Sequence, residues 1–397
     1  MRVLKKGVKT LLILLIILSI ETPNICYGEI SNVDKFSKSS ILIDQDTNRV
    51  LYEKNPDDKR PLASLSKMMT FLIALEAIDN KEVKPDDIIT VDKDIAKVKG
   101  STYKLKVGEK VPLIELMKGL MIVSGNDAAV GIAKHISKNE EEFVKRMNKR
   151  AEEIGMVNTN FVNCNGLPIY SLQDPKKPPK ENISTARDIA KLGKYLFDNY
   201  EEQVVAITDM QTYNYEDRQF CKNNTNSALL SSIPEVDGIK TGYTGNAGYC
   251  LAFSMKINKD NNNEENRLIG VTLGANHKNK RFQAAMAMLK YGKENFSTEK
   301  VMCKEELIGK KYLKGLNELE VTLESNSDLY IVKKNDENIN TQLTFKEMEL
   351  PIKKGDVLGV IKYYNDNGDI LGVNEIISRD DLCDISLKTR IKMLFAD

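Results

Sequence analysis

Histidine is scarce in this chain of 397 residues, which has only His135 and His277. Neither stands beside another histidine or in an acidic ligand pattern such as HExxH, which argues against a histidine-rich zinc site. A Ser-His-Asp triad would have to recruit one of the two, and no GxSxG turn supports it. His135 falls inside the helical run Ala128–Ile136 and reads as structural, while His277 lies in a polar turn before Arg281. Hydrolytic chemistry in such a chain turns to lysine for its base. Cysteine is also sparse: the 6 cysteines form no CxxC pair and no metal-finger spacing. No metal and no cofactor is expected. Cys164, Cys221, Cys250, Cys303 and Cys383 follow residue 28, an odd set that reads mainly as small apolar packing residues.

A basic excess is missing too, since 58 Lys and Arg face 57 Asp and Glu. Setting aside the first 28 residues, with 4 basic and 1 acidic, leaves 54 against 56, so nucleic acid is not an expected partner. The apolar run Leu11–Ile20 is short for a membrane span. Arg2, Lys5, Lys6 and Lys9 precede it, and small or turn residues follow to Gly28. That order reads as a secretory signal peptide over 1–28, with an uncleaved anchor as the alternative. The protein is therefore expected to be exported. The whole chain is 41% hydrophobic and 29% charged, ordinary for globular sequence, with room for two or three domains.

Ile41–Asp44 and Arg49–Tyr52 flank a turn and predict a β-hairpin leading into an apolar helix over Met68–Ile78. Leu113–Val123 and Asp127–Ile136 predict two helices broken at Ser124-Gly125-Asn126. Glu140–Ile154 predicts an amphipathic helix, and Phe161–Pro168 a turn-rich loop. Thr185-Ala186-Arg187-Asp188 resembles a capping box before a helix over Ile189–Phe197. Val236–Gly245, Tyr249–Ser254 and Leu268–Leu273 read as strands, with a polar tip at Asp260–Asn266, and Arg281–Gly292 as a final helix. Past Ser297 short alternating runs and the turn Asn365-Asp366-Asn367-Gly368-Asp369 predict a small all-β domain. The tail Leu387–Phe395 alternates apolar and basic residues and could lie on a membrane surface or pack as a terminal helix.

Three short motifs carry chemistry. Ser64-Leu65-Ser66-Lys67 puts a hydroxyl and an amine one helical turn apart, a nucleophile and a base on one face. Ser124-Gly125-Asn126 sits at a helix-to-helix turn, and Lys240-Thr241-Gly242 enters a strand. Each alone is a common tripeptide or tetrapeptide. Their order and contexts, with Pro61–Met68, Val123–Ala129, Ser184–Asp188, Asp237–Thr244 and Pro351–Val357, resemble the D-alanyl-D-alanine carboxypeptidases. These are low-molecular-mass penicillin-binding proteins of the S11 serine peptidase family.

The resemblance implies an α/β (α+β) catalytic domain of the penicillin-binding/β-lactamase type over 29–297, with an antiparallel sheet flanked by helices. A β domain over 298–378 and a short amphipathic tail over 379–397, with peripheral membrane contact, would follow. It implies Ser64 as the nucleophile acylated by a stem peptide ending in D-Ala-D-Ala, or by β-lactams. Lys67 would be its base, kept neutral by burial and by the like charge of Lys240. Ser124 would relay a proton, and Asn126 would orient Lys67 and the substrate. Lys240, Thr241 and Arg281 would bind near the substrate carboxylate, with Gly242 letting the strand approach closely, and the Ser64 and Tyr243 N–H groups would hold the oxyanion. The chain departs from the family pattern at Cys164 and Asn182, neither of which that chemistry needs. A DD-endopeptidase or β-lactamase on the same fold is the alternative, and a non-catalytic cell-wall-binding protein the alternative of another class.

Overall fold

The computed structural model describes residues 33–174, 176–258, 265–312, 320–348 and 351–382. The predicted signal segment, most of the polar tract Asp260–Asn266 and the tail Leu387–Phe395 lie outside these residues. Strands β1 (Ser39–Asp44) and β2 (Val50–Lys54) form the expected hairpin, its turn tied by Thr47, whose N–H and hydroxyl donate to Asp44 Oδ1. The 3₁₀ turn Ala63–Ser66 then leads into α1 (Lys67–Asp79). Every residue of α1 from Lys67 to Leu75 is buried, so it is a central helix apolar on all sides.

Around it stand α2 (Leu113–Met121), α3 (Asn126–Ser137), α4 (Glu140–Glu153) and α5 (Ala186–Thr208). The predicted cap holds: Thr185 Oγ1 accepts from Asp188 N–H. Helix α5 runs eleven residues beyond Phe197 across a non-helical Tyr200. The hairpin Thr212–Tyr215 with Phe220–Asn223 carried no apolar alternation strong enough to predict it.

Strands β3 (Val236–Thr244), β4 (Gly248–Asn258) and β5 (Glu265–Ala275) complete an antiparallel sheet in the order β2-β1-β5-β4-β3. Helix α6 (Lys278–Asn295) follows. Gly193 of α5 abuts Ile269, while Gly292 of α6 abuts Leu268. Adjacent strand residues face opposite ways, so α5 and α6 cover opposite faces. This is the predicted helix-flanked sheet, and it leaves β3 as an edge.

Strand β6 (Phe296–Met302) continues directly from α6. It pairs with β9 (Leu329–Lys334), and β7 (Leu307–Tyr312), β8 (Glu320–Ser325), β10 (Asn340–Phe345), β11 (Val357–Tyr364) and β12 (Ile370–Ser378) make a sheet in the order β7-β8-β12-β11-β10. Val321, Leu323, Ile331, Leu358 and Ile376 pack its core. The predicted turn at Asn365 closes with Asn365 Oδ1 accepting from Asn367 and Asp369 N–H. Arg49 grips Glu337 with two N–H groups at 2.7 and 2.6 Å, tying the catalytic sheet to this region. Among the described residues, no helix is long and apolar enough to cross a membrane.

Candidate active site

Ser64 occupies the 3₁₀ turn, not the first turn of α1, which begins at Lys67. Ala63 before it has φ +47°, which turns the chain sharply into the helix. Two glycines press on this backbone. A Cβ on Gly166 (φ +86°) would stand 1.9 Å from the Ala63 carbonyl oxygen, and one on Gly242 would stand 3.2 Å from Ser64 N. Only glycine permits the first approach.

Lys67 is wholly buried, and its Nζ has three neighbours: Ser64 Oγ at 2.9 Å, Asn126 Oδ1 at 2.7 Å and the Asn165 carbonyl at 2.7 Å. Two of these can only accept. A neutral amine has two N–H donors and one lone pair, so donation to Asn126 and Asn165 leaves the lone pair facing the Ser64 hydroxyl. Burial pulls the Lys67 pKa down to about 7, while nearby Cys164 and Asp127 act in the opposite sense. The lysine is therefore poised to exist as the free amine near neutral pH.

The Ser124–Asn126 turn brings in the second motif. Asn126 N–H donates to the Ser101 carbonyl and its amide Nδ2 to the Lys99 carbonyl, both at 2.8 Å, which fixes the amide so that Oδ1 faces Lys67. Asp127 anchors the same wall, accepting from Tyr103 N–H at 2.7 Å and Leu105 N–H at 3.0 Å. Ser124 is buried with φ +63°. Its hydroxyl is not one of the hydrogen-bond partners of Lys67, so the structure joins Ser64, Lys67 and Asn126 directly, with Ser124 in the turn that enters the helix of Asn126.

The third motif lies on edge strand β3. Lys240 is buried, and its ammonium donates to the Thr241 carbonyl at 3.0 Å. Burial lowers its pKa well below the usual lysine value, and the charges of Lys67 and Arg281 add to the effect. The like-charge effect expected for Lys67 thus falls on Lys240. Arg281 Nη1 donates to the Gly242 and Cys250 carbonyls at 3.4 and 3.3 Å, and among the described residues it meets no carboxylate. Tyr243 is exposed and stacks on Tyr249 with ring centres 4.3 Å apart.

Sequence reasoning missed the loop that completes the lysine pocket. Cys164 donates its N–H and its thiol to Glu140 Oε1, both at 3.1 Å, and its carbonyl accepts from Thr70 Oγ1 at 2.6 Å. Asn182 is buried and holds the same loop through Val162 N–H, Asn163 N–H and the Asn163 carbonyl. Both positions, set aside as departures, therefore support the Asn165 carbonyl. The dipeptide Asn165-Gly166 was the available signal for a tight turn there.

A serine–lysine pair under an edge strand that carries a second buried lysine defines an acyl-transfer serine hydrolase. The chain belongs to the D-alanyl-D-alanine carboxypeptidase family of S11 peptidases, which matches residues 29–277. Residues 296–382 match the C-terminal domain of penicillin-binding protein 5. A D-alanyl-D-alanine carboxypeptidase of Bacillus subtilis, DacF, is 34% identical over 91% of this chain and 90% of its own. A D-alanyl-D-alanine endopeptidase of Escherichia coli is 30% identical over 56% of this chain and 68% of its own. Among solved structures, penicillin-binding protein 5 of Haemophilus influenzae superimposes with a TM-score of 0.74 at 28% identity, over 88% of this chain and 98% of that one. Penicillin-binding protein D2 of Listeria monocytogenes, solved in an ampicillin-bound form, gives 0.56 at 28% identity, over 65% and 98%.

Proposed function

We propose that this chain removes the terminal D-alanine from peptidoglycan stem peptides outside the cytoplasmic membrane, through an acyl-enzyme on Ser64. The observation that carries the assignment is buried Lys67 Nζ 2.9 Å from Ser64 Oγ with two obligate acceptors as its other neighbours, which leaves the amine lone pair for the serine proton. Lys67 takes the Ser64 proton as Oγ attacks the carbonyl between the two D-alanines. The oxyanion is received by the N–H groups of Ser64 and Tyr243, each such donor being worth roughly 3–4 kcal/mol. The C–N bond then breaks, and the proton reaches the leaving amine through Ser124. Water hydrolyses the ester by the reverse use of the same groups. Lys240, Thr241 and Arg281 hold the terminal carboxylate, which would supply the anion that buried Lys240 and half-buried Arg281 lack.

A β-lactam presents an amide and a carboxylate at similar spacing, so it would acylate Ser64 as well. Residues 29–297 would carry the catalysis, 298–378 the β domain, and 379–397 any contact with a membrane surface. The test is incubation with a labelled penicillin, followed by peptide mass spectrometry and an assay of D-alanine release from a diacyl tripeptide. The adduct is expected on Ser64, with release lost in Ser64→Ala. An adduct elsewhere, or none, would falsify the mechanism.

A further inference from the structure

With its terminal carboxylate at Lys240 and Thr241 and its oxyanion at the Tyr243 N–H, a stem peptide bound as proposed runs along β3 in one direction. At about 3.3 Å per residue, its acyl side continues past Tyr243 toward the turn at 244–248. That turn is tied to a neighbouring segment, since Asn246 Nδ2 donates to Glu181 Oε2 at 2.8 Å. The segment leaves the site at Gly166, the glycine pressed against Ala63. Ile169 and Lys180 close it into a loop with two main-chain hydrogen bonds of 2.9 Å. Leu167, at its start, abuts Gly100, whose neighbour Lys99 holds the Asn126 amide through its carbonyl. The loop thus stands on both walls of the path that the acyl side must take.

Lys176, Lys177 and Lys180 of this loop are exposed, and so is Lys99. Among the described residues none of the four meets a carboxylate, whereas Lys97, Lys118 and Lys134 each do. The two acids of the loop are already engaged: Asp174 Oδ1 accepts from Lys176 N–H at 3.1 Å, and Glu181 from Asn246. A solvated lysine is unremarkable by itself, so position makes these informative. A stem peptide is anionic on its acyl side. Its D-glutamate is joined through the γ-carboxyl and keeps a free α-carboxylate. A diaminopimelate next to the D-alanines adds a second carboxylate, which a lysine there does not have. We infer that Lys177, Lys180 and Lys99 form an acyl-side subsite that pairs with these carboxylates, so that the protein prefers carboxylated stems to amidated ones. The inference rests on the acyl-enzyme reading given above.

Four pentapeptides separate the sources of charge: L-Ala-γ-D-Glu-diaminopimelate-D-Ala-D-Ala with neither, either or both of the two carboxylates amidated. At low salt the wild-type protein should favour the fully carboxylated stem over the doubly amidated one about fivefold in kcat/KM, mostly through KM. The single amides assign the preference to the glutamate or the diaminopimelate carboxylate, and either result supports the subsite. The advantage should shrink at high salt, as exposed pairs are screened. Combining Lys177→Glu with Lys180→Glu should abolish or invert it. Benzylpenicillin, whose acyl side has no carboxylate, should still label this variant and so show that it folds. If it does not fold, Lys177→Gln with Lys180→Gln repeats the test. Equal wild-type rates on all four stems overturn the subsite, as does a preference that survives charge reversal in a folded variant. Equal rates joined to weaker binding of the variant to phosphatidylglycerol vesicles would also overturn it, and would assign the lysines, with exposed Tyr170 and Leu172, to a lipid surface. Failure of penicillin to label Ser64 in the wild-type protein would instead remove the acyl-enzyme reading itself.

Discussion

Two buried lysines that flank one serine site, Lys67 and Lys240, sit in pockets of opposite design. Around Lys67 the protein supplies neutral acceptors from Asn126 and Asn165 and leaves the amine satisfied without a counter-ion. Around Lys240 it supplies one carbonyl, places the Arg281 guanidinium nearby, and leaves the lysine without an anionic partner among the described residues. The first pocket makes a base. The second makes an anchor that is completed by whatever carboxylate enters. Burial is the largest cause of the lowered pKa in both, so the partners decide the chemistry.

Breaking the first pocket should have the largest effect. Lys67→Ala is expected to slow acylation by labelled penicillin by about 10²–10⁴-fold, the range of a lost general base. Lys67→Arg should fare no better, because an arginine cannot give up its proton. Full labelling in either would transfer the role of base to another group. Breaking the second pocket should cost less: Lys240→Ala loses a charge-assisted hydrogen bond, about 10–100-fold in kcat/KM, mostly through KM for the tripeptide. A fall confined to kcat would show that Lys240 acts on the reacting bond.

The contrast also sets the pH dependence. Below about pH 7 Lys67 is protonated and cannot accept, so acylation should rise as pH increases through that value. Asn126→Asp would lend the base an anion and raise its pKa. The acid limb should then move about 1–3 units to higher pH, readable from kcat/KM profiles. An unmoved limb would assign it to a different group. The smallest effect is expected from Glu140→Ala, which strips the partner from the Cys164 N–H. It should lower stability by about 1–3 kcal/mol in thermal melts while leaving Lys240-dependent binding intact. Equal loss of substrate affinity would mean that the two pockets are mechanically joined.

Much of this was legible in the sequence because the decisive groups cluster. Ser64 and Lys67 are one turn apart, and Lys240 to Gly242 are consecutive. The sheet was legible through the short apolar runs of β1, β4 and β5, which the structure buries. The Asn165 carbonyl was not, since a backbone oxygen has no residue signature and reaches Lys67 only through a fold contact spanning 98 positions. Cys164 acts chiefly through its own N–H and carbonyl, and Asn182 through main-chain partners, neither of which composition reveals. The hairpin after α5 was invisible because its strands are only four residues each.

The neutral lysine carries a last consequence, for the whole chain. In an unfolded chain Lys67 is an ordinary ammonium with a pKa near 10.5, and Asn126 and Asn165 are not there to aim it. Folding expels its proton, so the catalyst is switched on by its own assembly and a nascent chain carries no reactive serine. The unfolded state binds the extra proton between about pH 7 and 10.5, so this group makes folding more favourable as pH rises across that window. Below it, the burial is a standing cost of roughly 5 kcal/mol that the packing around α1 must outweigh. Reactivity at this serine is thus stored as foregone stability.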